Sequence, residues 1–531
     1  MQAETTTVFE TDRRSLLRGA AAGLSLAGLL AAIMEHQLRA SATFGPGGDQ
    51  LTPATSPYGP IAPVADEATG LRILQLPEGF RYRSFSWRND LMSDGQFVNP
   101  AHDGMAVVLD RGGESVLIRN HEVGAGRRMI VPGNPAAQYD PVTLADGSTP
   151  GGGCTVLRVR NGTLVDQRNA IGGTIVNCAG GRTLWNSWLT CEETEANLSA
   201  AGGRKHGYVF DVNLDPQRTV ATPIVGMGRF AHEAVAVDPR TGDVYMTEDA
   251  RNEAGFYRYV PMPNTFGYGS LARRGRLQAA KVVGVERANL LALDGIRPSQ
   301  VRRVGDVLEI EWVTIPEPDA DPAPYEETGP DNPDVGVRTV SGPFRQAREL
   351  GALRMSRGEG IWWDPRSDCA WVVDTSFGYE ATGQRRAGRG LGAVWAYRPD
   401  RRNRNRGRLI LVYAAAARVA GNNPDNIVVS PRGGLLSCDD GSAAVDAFGA
   451  GQRLMGYTAE GAAYIFAKNN LQLSAADIAA MGRTGQFGPG DYRGAEFAGA
   501  CFDASGTWLF VNIYVPGLTL AITGPWTRGN L

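Results

Sequence analysis

Short, almost unbroken apolar runs alternate with compact polar turns, and the same unit recurs along most of the chain. Met105-Ala106-Val107-Val108-Leu109 leads into Asp110-Arg111-Gly112-Gly113, and the next run closes on Asn120-His121-Glu122. Cys178-Ala179-Gly180-Gly181 is followed by a run closing on Cys191-Glu192-Glu193. Ala234-Val235-Ala236-Val237 turns through Asp238-Pro239-Arg240-Thr241-Gly242 and ends on Glu248-Asp249. Ile361-Trp362-Trp363 turns at Asp364-Pro365 and ends on Asp374-Thr375-Ser376, while Ile427-Val428-Val429 turns at Ser430-Pro431 and ends on Cys438-Asp439-Asp440. The last copy begins at Cys501-Phe502-Asp503 and ends at Asn512. Apolar runs of this length bounded by Gly, Pro and Asp predict buried strands, and two joined by a tight turn predict a β-hairpin.

The turns near positions 110, 181, 238, 364, 432 and 503 lie about 60–70 residues apart, with one double gap. A fixed hairpin period predicts an all-β propeller, each blade a small antiparallel sheet. Six blades are favoured and seven are possible. The period exceeds that of simple propellers, which predicts long decorating loops; a chain of β-sandwiches is the alternative. The double gap, from about 260 to 345, holds a strand-like Asp306–Trp312 and then a Pro/Asp-rich loop. Asp238, Asp364 and Asp503 are expected to form turns, and Trp362, Trp363 and Trp371 to fill blade cores.

Composition supports the β assignment: 68 Gly and 31 Pro accompany scarce helical periodicity. Thr11-Asp12-Arg13-Arg14-Ser15-Leu16-Leu17 and the Gly/Ala/Leu run to Ile33 form a twin-arginine export pattern, with a small-residue cleavage site at Ala40-Ser41-Ala42. Residues 1–42 are therefore expected to be an export signal and 43–531 one propeller domain. That organisation predicts a periplasmic or secreted protein handled by the twin-arginine machinery, with an uncleaved membrane anchor as the alternative. No later stretch has the length of apolar sequence a spanning helix needs. A formal charge of −3 argues against a nucleic-acid partner. The six cysteines match no zinc-ribbon spacing, and only His102, His121, His206 and His232 follow the leader. A metal centre would therefore lean on oxygen ligands, which favours calcium, magnesium or ferric iron.

A second polar position precedes the first strand of most hairpins: His102-Asp103, His232-Glu233, Arg357-Gly358-Glu359, Asp425-Asn426 and Glu496. The innermost strand of each blade lines a propeller's channel, so these acids are expected to converge on its axis. Carboxylates that close repel one another, and multivalent cations are the simplest neutraliser. Cys191-Glu192-Glu193 adds a thiol to the acids; the alternatives are a solvated turn, a buried thiol, or a Cys178–Cys191 disulfide. His232 is as well explained by a backbone partner as by ligation.

These segments together resemble the PhoX-type alkaline phosphatases, exported bacterial phosphomonoesterases. The resemblance rests on Asn177-Cys178-Ala179-Gly180-Gly181 with Trp188-Leu189-Thr190-Cys191-Glu192-Glu193, Gly228-Arg229-Phe230-Ala231-His232-Glu233, and Tyr245-Met246-Thr247-Glu248-Asp249. Asp425-Asn426, Ser430-Pro431-Arg432-Gly433-Gly434, Glu496-Phe497-Ala498-Gly499-Ala500 and the closing Ala521–Trp526 add to it. The resemblance implies a propeller with Fe³⁺ and Ca²⁺ in its channel and a cysteine thiolate on iron. It makes Cys191 the expected iron ligand. Glu122, Glu192, Glu193, Glu233, Glu248, Glu359, Asp439 and Asp440 would share the ions, and Arg357 would be the phosphate clamp. Arg357 is also readable as a structural partner of Glu359, and Asp439 departs from the glutamate often found there. The expected substrates are small phosphomonoesters. A calcium-dependent propeller lactonase or esterase, a serine phosphatase built on Asp374-Thr375-Ser376, and a non-catalytic scaffold are the competing functions.

Overall fold

Near-continuous apolar runs such as Met105–Val108 arise because both faces of these strands are covered. Side chains alternate between faces with a period of two. Met105 and Val107 join one apolar cluster, with Cys501, Phe510 and Ala521, whereas Ala106 and Val108 join another, with Trp188, Phe210 and Val212. Six such clusters form the core. Each fills one seam between neighbouring sheets, as expected where sheets pack face to face.

The computed structural model describes residues 53–262, 266–293, 301–327, 336–380, 386–443, 445–457 and 463–531; the leader and its cleavage site lie outside them. The sheets form a six-bladed propeller. The first blade comprises His102–Arg111, Glu114–His121, Gly152–Arg160 and Thr163–Thr174, the second Asn177–Arg182, Ser187–Glu192 and Val209–Asn213. The third comprises His232–Val237, Val244–Glu248, Phe256–Pro261 and Gly275–Val282, the fourth Gly358–Asp364, Cys369–Asp374, Ala393–Pro399 and Arg406–Ala414. The fifth is built on Pro424–Val429, Leu435–Asp439, Arg453–Tyr457 and Ala463–Asn469, extended outward by Leu74–Pro77 and Ile61–Val64. The sixth holds Phe497–Phe502, Leu509–Ile513 and Leu518–Thr523, and the N-terminal strand Arg81–Phe85 completes it by antiparallel pairing with Leu518–Thr523. Pairing the two ends of the chain closes the ring.

The double gap contains no seventh blade among the described residues. Val307–Thr314 pairs with Gly275–Val282 on one side and Arg406–Ala414 on the other. It joins the outer edges of the third and fourth blades into one nine-stranded sheet. The expected turn-formers behave as such: Asp238, Asp364 and Asp503 accept the backbone N–H groups of Arg240, Arg366 and Trp508 at 2.9, 2.9 and 2.8 Å. Trp371 is fully buried, and Trp362 and Trp363 pack against the seams. No helix of the described residues is long and apolar enough to cross a membrane.

Candidate metal and phosphate site

The six innermost strands share one irregularity, and it builds the site. In every blade the first hairpin pairs normally at the channel mouth, then the inner strand advances three residues while its partner advances two. Such a bulge inserts one extra residue and re-aims a side chain. The residue following the first pair is Asp103, Cys178, Glu233, Glu359 and Asp425 in blades one to five. The sixth has Gly499 at φ +61°, where a Cβ would sit 2.5 Å from the Asp103 carbonyl. That blade contributes Glu496 instead, from just before the strand. Inner strands approach closely here: a Cβ on Gly104 would lie 2.4 Å from the Ala179 Cα.

Three sets of ligand atoms result, each lying within 4.8 Å of one another: Asp103, Glu122 and Cys178; Cys178, Glu193 and Glu233; and Glu233, Glu359 and Asp425. Cys178 is common to the first two sets and Glu233 to the last two. The Cys178 thiol donates to Glu233 Oε2 at 2.8 Å.

Burial and crowding hold these groups away from their usual ionisation. Burial, then repulsion from Glu122, Asp425 and Glu193, pushes Asp103 well up. Burial and the Glu359 charge do the same to Glu233, and burial and the Asp249 charge to Glu193 and Glu359. Burial raises Asp425 to about 7, with Asp440 adding to the effect. Burial, then the Asp103 and Glu233 charges, raises the Cys178 thiol. One oxygen each of Asp103 and Glu233 is buried without a hydrogen-bond partner. Leaving buried carboxylate oxygens unpaired is costly, and a cation would satisfy both. The donor set therefore fits metal ions.

The expected ligands divide by strand face. Glu122, Glu193, Glu233 and Glu359 are brought together. Asp440 lies exposed at the rim, close enough to raise Glu496 and Asp425. Glu192, Glu248 and Asp439 are not in the cluster. Each is the last paired residue of its blade's second strand, one position before Glu193, Asp249 and Asp440, so it faces into the blade body. Glu192 accepts from Ile175, Gly207 and Tyr208 N–H groups and meets His206 Nδ1 at 2.6 Å. Glu248 accepts from Gly255 N–H, Tyr257 and Ser341. Asp439 is paired with buried Arg453 at 2.7 Å.

Cys191 is likewise not in the cluster. It sits on the second strand of its blade, on the Leu189 face, among Leu189, Val209, Met246 and Phe230. The thiol brought to the channel is Cys178, and all six cysteines are free, so no Cys178–Cys191 disulfide forms. The sequence held a signal for this. Asn177-Cys178 occupies the same hairpin position as His102-Asp103 and His232-Glu233, which also points to Asp103 and Asp425, absent from the expected ligands. His232 Nε2 meets the Gly228 carbonyl at 3.0 Å, its backbone partner.

Arg357 enters the mouth just before the inner strand of the fourth blade. Its Nε donates to Asp249 Oδ1 at 2.6 Å, its Nη2 donates to Asp249 Oδ2, and Nη2 lies 3.3 Å from Glu359. Nη1 makes no hydrogen bond among the described residues, and the side chain is 29% exposed. One edge of the guanidinium is thus fixed and the other is free of hydrogen bonds among the described residues.

Acids and a thiol gathered on the axis of a six-bladed ring define a channel-site propeller with the donors of a polynuclear metal centre. The sequence profile of the family "Alkaline phosphatase PhoX" matches residues 56–170 and 137–517, and the chain belongs to that family of metal-dependent phosphatases. No curated protein sequence matches the chain. Among solved structures, Pseudomonas fluorescens PhoX in complex with vanadate, a transition state analogue, is similar over 91% of this chain and 98% of that one, with 17% identity and a TM-score of 0.56. A gluconolactonase from Xanthomonas campestris aligns over 90% and 98%, with 12% identity and a TM-score of 0.34. The first likeness is one of fold, and the second is too loose to carry an argument.

Proposed function

We propose that this phosphatase is exported by the twin-arginine route to the periplasm or beyond, and hydrolyses small phosphomonoesters at an iron–calcium centre in the channel. The observation that carries the reading is the bulge ring, in which five successive blades present a carboxylate or thiol at one structural position, two with a buried unpartnered oxygen. Thiolate favours the softer ion. Fe³⁺ is accordingly assigned to the sets sharing Cys178, with Asp103, Glu122, Glu193 and Glu233. The all-oxygen set of Glu233, Glu359 and Asp425 suits Ca²⁺. Asp440 and Glu496, at the rim, complete the acidic wall. Cys178 thus takes the role first expected of Cys191, while Glu192, Glu248 and Asp439 are assigned to the scaffold.

When bound, the ions neutralise the charge of the transferring group and act as Lewis acids. Arg357 contributes the protein's own positive charge. Its Nη1, free of protein partners, grips phosphoryl oxygens, while Asp249 prevents the guanidinium from rotating. Glu193 lies on the same side, beside Asp249 and the Arg357 charge, so the clamp and the proposed ligands form one continuous surface. The Pseudomonas fluorescens relative of this fold was solved with vanadate, a transition state analogue, which is in keeping with a phosphoryl-transfer reading. The test is hydrolysis of an aryl phosphate by the metal-loaded enzyme and by Arg357→Ala. Loss of a charge-stabilising donor is expected to lower kcat/KM by about 10²–10³-fold with metal content unchanged. Full activity in Arg357→Ala, or in metal-free protein, would overturn the assignment.

A further inference from the structure

In every blade the second-strand residue paired just before the bulge is buried and polar: His121, Glu192, Glu248, Asp374, Asp439 and Asn512. Several of these brace the segment leading into their own blade's inner strand. His121 Nδ1 meets the Pro100 carbonyl at 2.9 Å, and Glu192 accepts the Ile175 N–H at 3.0 Å. In the fourth blade the braced segment is the one that carries Arg357. Asp374 Oδ1 accepts the Ser356 hydroxyl and the N–H groups of Ser356 and Arg357 at 3.2 and 3.1 Å, and Oδ2 lies 3.3 Å from the Ser356 N–H.

The brace is tight and dry, since both Asp374 and Ser356 are fully buried. Thr375 N–H donates to the Arg357 carbonyl at 3.1 Å, and Met355 N–H to the Ala254 carbonyl at 2.9 Å, so the backbone is stitched on both sides of Ser356. The guanidinium end of Arg357 is held by Asp249 at the same time. The arginine is therefore fixed at both its root and its tip. A carboxylate accepting several local donors is a strong, directional anchor, and a clamp group displaced by about 1 Å loses about 10²-fold in rate.

We infer that Asp374 and Ser356 are positioning residues for the phosphate clamp, acting solely through Arg357. This inference rests on the proposed function, because it needs Arg357 to touch the phosphoryl group. Neither residue belongs to the channel's sets of ligand atoms, and Asp374 is not a nucleophile's partner as the serine-phosphatase alternative would require: its hydroxyl contact is to buried Ser356.

The experiment is a double-mutant cycle on the metal-loaded full chain, using Asp374→Asn, Arg357→Lys and the pair, with Ser356→Ala as a milder second probe. Readouts are kcat and KM for an aryl phosphate, the affinity for inorganic phosphate by calorimetry, metal content and Tm. Asp374→Asn is expected to lower kcat/KM by about 10–100-fold and to weaken phosphate binding at unchanged metal content. In the Arg357→Lys background the same change is expected to have almost no further effect. Ser356→Ala, which keeps both backbone contacts, is expected to cost several-fold. Equal losses in both backgrounds, or loss of metal on Asp374→Asn, would overturn the inference while leaving the phosphatase reading intact. Wild-type protein that neither hydrolyses the ester nor binds phosphate would overturn both. Should Asp374→Asn fail to fold, Ser356→Ala carries the same cycle.

Discussion

Cations and protons compete for the same oxygens in this channel, so the stabilisation given by metal should grow with pH. Asp425 makes the magnitude explicit. Unfolded, its carboxyl releases its proton at the ordinary aspartate value; folded and metal-free, burial and Asp440 hold the proton to about 7. Between those limits the folded metal-free protein binds more protons than the unfolded chain, so raising the pH costs it stability. A rise of that size is worth about 4 kcal/mol. Loaded protein escapes the cost because the ions take the ionised form. Unfolding entropy of about 2.1 cal/mol/K per residue over roughly 480 residues gives about 1 kcal/mol/K, so the Tm gap should widen by about 4 °C for Asp425 alone. Asp103, Glu193, Glu233, Glu359 and Glu496 are pushed the same way, which makes that value a floor. Buried neutral His102, His121 and His232 titrate oppositely. They contribute to both forms, and so they cancel in the difference. The assay is calorimetry of loaded and chelated protein at several pH values between 4 and 8, which spans the window in which Asp425 titrates. A gap that stays constant or shrinks as pH rises would show that no proton is displaced from these carboxylates on metal binding.

Two further substitutions separate site from scaffold. Cys178→Ser should abolish iron binding and any thiolate charge-transfer colour with the fold preserved; Cys191→Ser should keep iron and colour but lose about 1–3 kcal/mol, because its hydroxyl is stranded among Leu189, Val209 and Phe230. Absorption spectra, metal analysis and denaturant titration check both. Arg453→Met should leave Asp439 buried and unpaired, costing about 3–5 kcal/mol, while metal content and kcat remain at wild-type values; a drop in calcium content would instead place Asp439 among the ligands.

Much of the architecture was legible because the turns punctuate it. The hairpin repeat marked six inner strands, and Asp103, Glu233, Glu359, Asp425 and Glu496 stood at equivalent places before the structure brought four of them into bulges and Glu496 beside them. Choosing among neighbouring residues was harder, because it depends on strand face. Cys191 looked better placed than Cys178 since it adjoins Glu192 and Glu193, yet alternation along Ser187–Glu192 sends Cys191 into the seam with Leu189. Glu192, Glu248 and Asp439 close their ladders and turn inward, while their successors lie beyond the last pair. A bulge shifts that parity by one residue, and a hydrophobic pattern does not announce it. The Val307–Thr314 strand was equally ambiguous: it has the look of a blade strand, but its partners are the outer edges of two blades.

The proposed metal centre is open to anomalous X-ray diffraction from crystals of protein purified after export, with data collected on both sides of the iron edge. An iron peak is expected bonded to the Cys178 sulfur and flanked by Asp103, Glu122, Glu193 and Glu233, with calcium among Glu233, Glu359 and Asp425. An iron peak at Cys191, or a channel empty of metal in crystals of fully active enzyme, would contradict that assignment.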